Sequence, residues 1–158
     1  MRIPGNQAKL LTHFRIPLGL NVWPFVHIED LASHFRTIYS AITRSQASSL
    51  PPGLPHGNAG YYFATCGEYR LLEVAEHIGK VMTSHGWTSD AVPTPFTDGQ
   101  LDKYYSALAA IGSNKYYAGT NSRAISFAAK QLGWVPRHED VAEFYRYCED
   151  ETLRLGAA

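Results

Sequence analysis

Only two stretches of this chain read as β-strands, and nothing else in the sequence restricts its fold as much. Trp23-Pro-Phe-Val-His-Ile28 is a short apolar run with Pro24 near its start, where a strand tolerates the missing N–H. Gly60-Tyr-Tyr-Phe-Ala-Thr65 is aromatic and bounded by a turn at Cys66-Gly67-Glu68, the composition expected of a strand. Two strands make a poor sheet by themselves. The sheet is therefore expected to lack its other members or to be completed by a partner.

The remaining patterns are helical. Leu31, Phe35, Ile38 and Ile42 fall at i, i+4, i+7 and i+11 and predict a helix that buries this face. Leu71, Val74, Ala75, Ile78, Val81 and Met82 form the clearest amphipathic stripe, ending near Gly86. Helices are also expected over 100–111, after an Asn121 cap with Ile125, Ala128, Ala129 and Leu132 inward, and around Val141, Phe144, Tyr145 and Cys148. A short helix is expected at 6–14, and loops at 45–60, 92–99 and 113–119. The reading is a helix-rich α/β chain, with about five helices and two short strands.

Composition sets the class. The 158 residues, 45% apolar and 18% charged, suffice for one domain over 1–158 with its own core, and they exclude a disordered chain. Lys+Arg and Asp+Glu are both 14, so the basic excess of a nucleic-acid partner is missing. No apolar run is long enough to span a membrane. Arg2, Lys9 and Arg15 interrupt the stretch where a secretion signal would have its apolar region. Cys66 and Cys148 stand far apart without a CxxC pair. A reduced, cytoplasmic protein is expected.

Several segments resemble a known family in order and spacing. Trp23-Pro-Phe-Val-His-Ile-Glu-Asp-Leu-Ala32, Tyr61-Tyr-Phe-Ala-Thr-Cys-Gly-Glu68, Glu73-Val-Ala-Glu-His-Ile78, Asn121-Ser-Arg-Ala and Leu132-Gly-Trp-Val-Pro136 look like the C-terminal, substrate-binding half of extended short-chain dehydrogenases, the NAD-dependent epimerase/dehydratase family. The resemblance implies a truncated Rossmann-type remnant whose two strands run parallel. It also implies that Asp30 hydrogen-bonds amides at the start of its helix. The dinucleotide-binding half, with its Gly-rich turn on a helix N-terminus, has no counterpart. None of the ten tyrosines has a lysine four residues on, so the family's Tyr-x-x-x-Lys pair is missing too. No cofactor is expected.

Other chemistry is sparse. The sequence has no P-loop, no GxSxG elbow and no HExxH. Its seven histidines show no metal-ligand spacing, so no metal is expected. Aromatic residues are 13% of the chain, which suits a pocket for an apolar organic molecule. Trp23, Phe25, Tyr61, Phe63, Phe96, Tyr104 and Tyr117 are the expected substrate-binding residues, with His27, Tyr105 and Tyr116 as the polar, catalytic ones.

Two functions are compatible with this. One is a cofactor-independent enzyme that folds an apolar substrate, a cyclase or isomerase capable of [4+2] closure, working by preorganisation and a polarising donor. The other is a truncated or split NAD(P)-dependent epimerase/dehydratase, inactive alone or acting as a binding partner. A homodimer is expected, because strand edges and apolar faces detached from a larger sheet need cover.

Overall fold

The computed structural model describes residues 19–44, 54–110 and 120–157. The expected helix at 6–14, most of the loop at 45–60 and the loop at 113–119 lie outside the described residues. Chain order is β1 (Val22–Phe25), α1 (Ile28–Arg44), β2 (Gly67–Arg70), α2 (Leu71–Ser84), α3 (Asp98–Ala110), α4 (Phe127–Gln131) and α5 (Val141–Gly156), with one 3-10 turn at Gly57–Ala59. The helix-rich composition with two short strands is as expected.

The strand direction is not. β1 and β2 form an antiparallel two-stranded sheet, not the parallel pair of a Rossmann-type remnant. The second strand is also not where its aromatic run suggests: residues 60–65 are not a strand, and β2 begins at Gly67, in the stretch expected to turn. Cys66 N–H reaches the Phe25 carbonyl at the end of β1 (2.7 Å), and Leu71 N–H reaches the Asn21 carbonyl at its start (3.5 Å). Pairing thus begins only after Thr65 and runs backward along β1. The residues before it take other partners: Thr65 N–H donates to Ser126 Oγ at 2.7 Å.

The chain divides into two compact units. The first comprises the chain up to Trp23, Tyr69–Ser122 and Val141–Ala158. Its centre is the packing of α2 on α5. Val74, Ala75 and Met82 are buried on the expected α2 stripe, and Tyr145 is buried on α5. The Tyr145 hydroxyl donates to Glu73 and accepts the Arg70 N–H at 3.4 Å, while its ring stacks on His77 at 4.8 Å. Burial, reinforced by the Glu73 carboxylate, pushes this phenol up to about 12.

Residues 120–122 cover the free edge of β1 within this unit. Ser122 N–H donates to the Val22 carbonyl (3.0 Å), Val22 N–H to Asn121 Oδ1 (2.7 Å) and Trp23 Nε1 to the Thr120 carbonyl (2.7 Å). Asn121 therefore satisfies a strand edge and does not cap α4, as its position before a helical pattern suggests. α4 itself is a short helix that begins at Phe127.

The second unit comprises Pro24–Glu68 and Arg123–Asp140. Phe25, Cys66, Ala129 and Trp134 form its buried apolar centre. Gly67 lets the Phe25 ring approach: a Cβ there would lie 2.7 Å from it. Gly133, at φ 88°, ends α4 in the left-handed region. The inward face of α1 differs from the expected one. Asp30 and His34 are buried and Leu31 and Ile38 half-buried, whereas Phe35 and Ile42 are exposed. The reason is Trp134, whose indole N–H lies 2.9 Å from Ser33 Oγ and 3.2 Å from the Asp30 carbonyl. A buried Trp needs such a partner, and this face of α1 supplies it.

Gly79 of α2 provides a test of the α2 packing. A Cβ there would sit 2.5 Å from the Ala91 carbonyl oxygen, which belongs to backbone and cannot rotate away. Alanine in a helix interior normally stabilises by up to about 1 kcal/mol over glycine. Gly79→Ala is expected instead to lower the melting temperature, measured by circular dichroism, because the clash outweighs the propensity gain.

Candidate functional site

Asp30 organises the second unit. It lies in the first turn of α1 and is 2% exposed. Its Oδ1 accepts the Arg137 N–H and its Oδ2 the His138 N–H, both at 2.9 Å. The Cys66 thiol donates to Oδ2 at 3.3 Å. Burial would raise this carboxyl, but the two backbone donors, the Cys66 thiol and the nearby His138 together outweigh it and hold the group below the usual carboxylate range. Asp30 thus bonds amides, as the resemblance implies, yet those of the 137–138 loop and not those of its own helix. Cys66 is pushed the other way: burial, with the Asp30 carboxylate adding to it, raises the thiol to about 11. It is a neutral hydrogen-bond donor, with no nucleophilic character.

The Asp30 clamp brings three ligand-type side chains to the surface above it. His27 precedes α1, Glu29 opens it, and His138 sits on the clamped loop. The His27 and His138 rings stack at 3.9 Å with 27° between their planes. His138 Nε2 lies 3.4 Å from Glu29 Oε2. Ligand atoms of all three lie within 4.8 Å of one another. The sequence offers His27 as a polar residue of the expected pocket but gives no hint of Glu29 or His138, since the two histidines meet through the fold.

Four residues along α1 from Asp30 lies His34. It is buried, packs edge-on against Trp134 at 5.0 Å, and neither ring nitrogen has a hydrogen-bond partner of standard geometry. Burial holds its pKa below the ordinary value, with the Phe63 backbone pulling weakly the other way. On the same unit, Arg123 and Glu68 form a two-pronged ion pair, each contact 2.8 Å.

The expected pocket residues fall in several places. Phe96 is buried and meets the Tyr104 and Tyr105 rings, with centroids 5.8 and 6.1 Å away. This cluster, at the entry to α3 in the first unit, gathers three of the expected residues. Burial raises the Tyr105 phenol, which keeps it protonated. Trp23 is half-buried and hydrogen-bonded to Thr120. Phe25 is buried against Gly67. Tyr61 and Phe63 are exposed, at 70% and 55%. Tyr116 and Tyr117 lie outside the described residues. The second unit also carries a cleft of about 250 Å³ lined by Arg36, Thr37, Ser40, Arg44 and Gly133 among others. It is small for an organic ligand, and among the described residues none of the expected pocket residues lines it.

Comparison with models of known protein families, with curated proteins and with solved structures finds no match. Among the described residues no helix is long and apolar enough to cross a membrane.

His34 makes the second unit acid-sensitive. Its folded-state pKa is below the 6.5 of the unfolded chain, so the unfolded state binds the proton more readily. Stability is then full above about pH 6.5 and declines as pH falls below it. Urea unfolding between pH 7.5 and 5 is expected to show this decline. His34→Phe, which keeps a ring against Trp134 and cannot titrate, should flatten it.

Proposed function

We propose that this chain is the substrate-side half of an enzyme of the epimerase/dehydratase type, acting only when a polypeptide that carries a dinucleotide-binding half covers it. One observation carries the reading: α1 turns an apolar stripe outward. Asp30 and His34 face inward, while Ile28, Phe35, Tyr39 and Ile42 point to solvent at 70%, 64%, 68% and 48% exposure. Tyr61, Phe63, Ile125, Phe127 and Val135 of the same unit are exposed as well. Scattered exposed apolar residues are ordinary, but an apolar stripe along one helix marks a surface that is normally covered. The segments Trp23–Ala32 and Asn121–Ala124 resemble segments of the substrate-binding half of extended short-chain dehydrogenases, a half that the resemblance pairs with a dinucleotide-binding one, which suggests the identity of the cover.

The test is reconstitution. The chain alone is expected not to bind NAD(P)H tighter than about 100 μM, followed by nicotinamide fluorescence. Co-expression with the dinucleotide-binding half of an intact epimerase/dehydratase is expected to yield a complex that does. Phe35→Glu with Ile42→Lys should abolish the complex while leaving helicity unchanged. A stable homodimer, broken by the same two substitutions, would instead assign the face to a second copy and remove the case for a split dehydrogenase.

The Phe96, Tyr104 and Tyr105 cluster favours a second reading, in which the chain is a cofactor-independent cyclase or isomerase for an apolar small molecule. Three aromatic rings preorganise such a substrate, and a protonated phenol polarises a carbonyl. On this reading Tyr105→Phe lowers turnover about tenfold, some 1.4 kcal/mol, without a change in melting temperature. Full activity of both Tyr105→Phe and Phe96→Ala on a substrate retained from source cells, detected by native mass spectrometry, would dispose of it.

A further inference from the structure

We propose that His27, Glu29 and His138 bind a divalent transition-metal ion, with Zn²⁺ as the best fit. The donor set is two imidazole nitrogens and one carboxylate oxygen. Such borderline-soft ligands select zinc and its neighbours over Mg²⁺ and Ca²⁺, which require oxygen ligands. Three protein ligands leave the fourth tetrahedral position for a water molecule.

The geometry is part-way to that of a loaded site: the His27 and His138 rings, stacked with centroids 3.9 Å apart, have to splay so that one nitrogen of each faces the ion. Zn²⁺ holds its nitrogen and oxygen ligands at about 2.0–2.2 Å, so neighbouring ligand atoms of a tetrahedron stand roughly 3.4 Å apart. The His138 Nε2 to Glu29 Oε2 distance is already 3.4 Å. The ligand atoms of the group all lie within 4.8 Å of one another, and an ion draws the wider separations in. The side chain of Glu29 is 74% exposed and moves to follow it at little cost. The one hydrogen bond on the His27 ring, from Glu29 N–H to Nδ1, is 3.2 Å long and is the contact an ion displaces.

Preorganisation argues against a chance encounter of surface side chains. Backbone on both sides of the cluster is held by the buried carboxylate of Asp30, next in sequence to Glu29 and bonded to the His138 N–H. Trp134 ties the same loop to α1 through its indole N–H. An ion therefore meets ligands whose main chains are already in place, the arrangement that outer-shell bonds provide in metal sites.

The experiment is titration of the purified, chelator-treated chain with ZnCl₂ by calorimetry, and with CoCl₂ by visible absorption. The expected result is one ion per chain, Kd below about 10 μM, and the intense visible bands of four-coordinate Co²⁺. Glu29→Gln is expected to weaken binding about tenfold or more, and His27→Asn or His138→Asn to abolish the Co²⁺ bands. His85→Asn, at an exposed histidine of the other unit, should change nothing. Glu29 and His85 are exposed and His27 and His138 half-buried, so circular dichroism of all four variants confirms folding before titration. Binding weaker than about 1 mM, or binding that survives both His27→Asn and His138→Asn, would overturn the assignment.

Discussion

The second unit depends on a buried carboxylate. Asp30 is taken out of water, which is costly for a charge unless hydrogen bonds replace the lost hydration. Two backbone N–H groups of the 137–138 loop and the Cys66 thiol supply that replacement. The exchange works in both directions. A loop carries backbone donors that must be satisfied, and Asp30 satisfies two of them where no strand or helix does. The result joins α1 to a segment about a hundred residues further along the chain, with Trp134 adding a second tie through the Asp30 carbonyl and Ser33.

This clamp dictates the orientation of α1. A helix has room for one inward stripe. Once Asp30 and His34 occupy it, the residues about half a turn away face outward whatever their hydrophobicity. Phe35, Tyr39 and Ile42 are exposed for that reason. The helix thus gives up apolar burial, worth about 1.5–3 kcal/mol for a large side chain, which a covering surface would recover. The same clamp sets His27 and Glu29 beside His138. One buried group therefore underlies both the outward apolar face and the surface cluster of ligand-type side chains.

The first unit is held together in a more ordinary way. α2 presents a regular apolar stripe to α5, and its polar contacts follow from the same packing. Tyr145 reaches Glu73 and Arg70 with its hydroxyl and His77 with its ring, so a large aromatic side chain is buried without an unmet donor. His77 in turn pairs with Glu149 of α5. Here the polar groups decorate an apolar contact, whereas in the second unit a polar group lies at the centre.

That contrast explains how much could be read in advance. α2 and α5 follow from the positions of Val74, Ala75, Met82 and Tyr145, because apolar burial has a period and a period is visible in residue order. Gly133 and Pro136 mark the end of α4 for equally local steric reasons. The direction of β2 was decided elsewhere: Thr65 gave its N–H to Ser126, and pairing with β1 began only at Cys66. The inverted face of α1 came from Trp134 and the 137–138 loop, which no spacing within α1 reveals. The aromatic residues announced a pocket by type, but type carries no distance, and among the described residues Phe96, Tyr104 and Tyr105 came together. His27 and His138 met for the same reason that they could not be paired beforehand: local rules govern neighbours along the chain, and their contact is made by a hydrogen bond from a loop to a buried carboxylate.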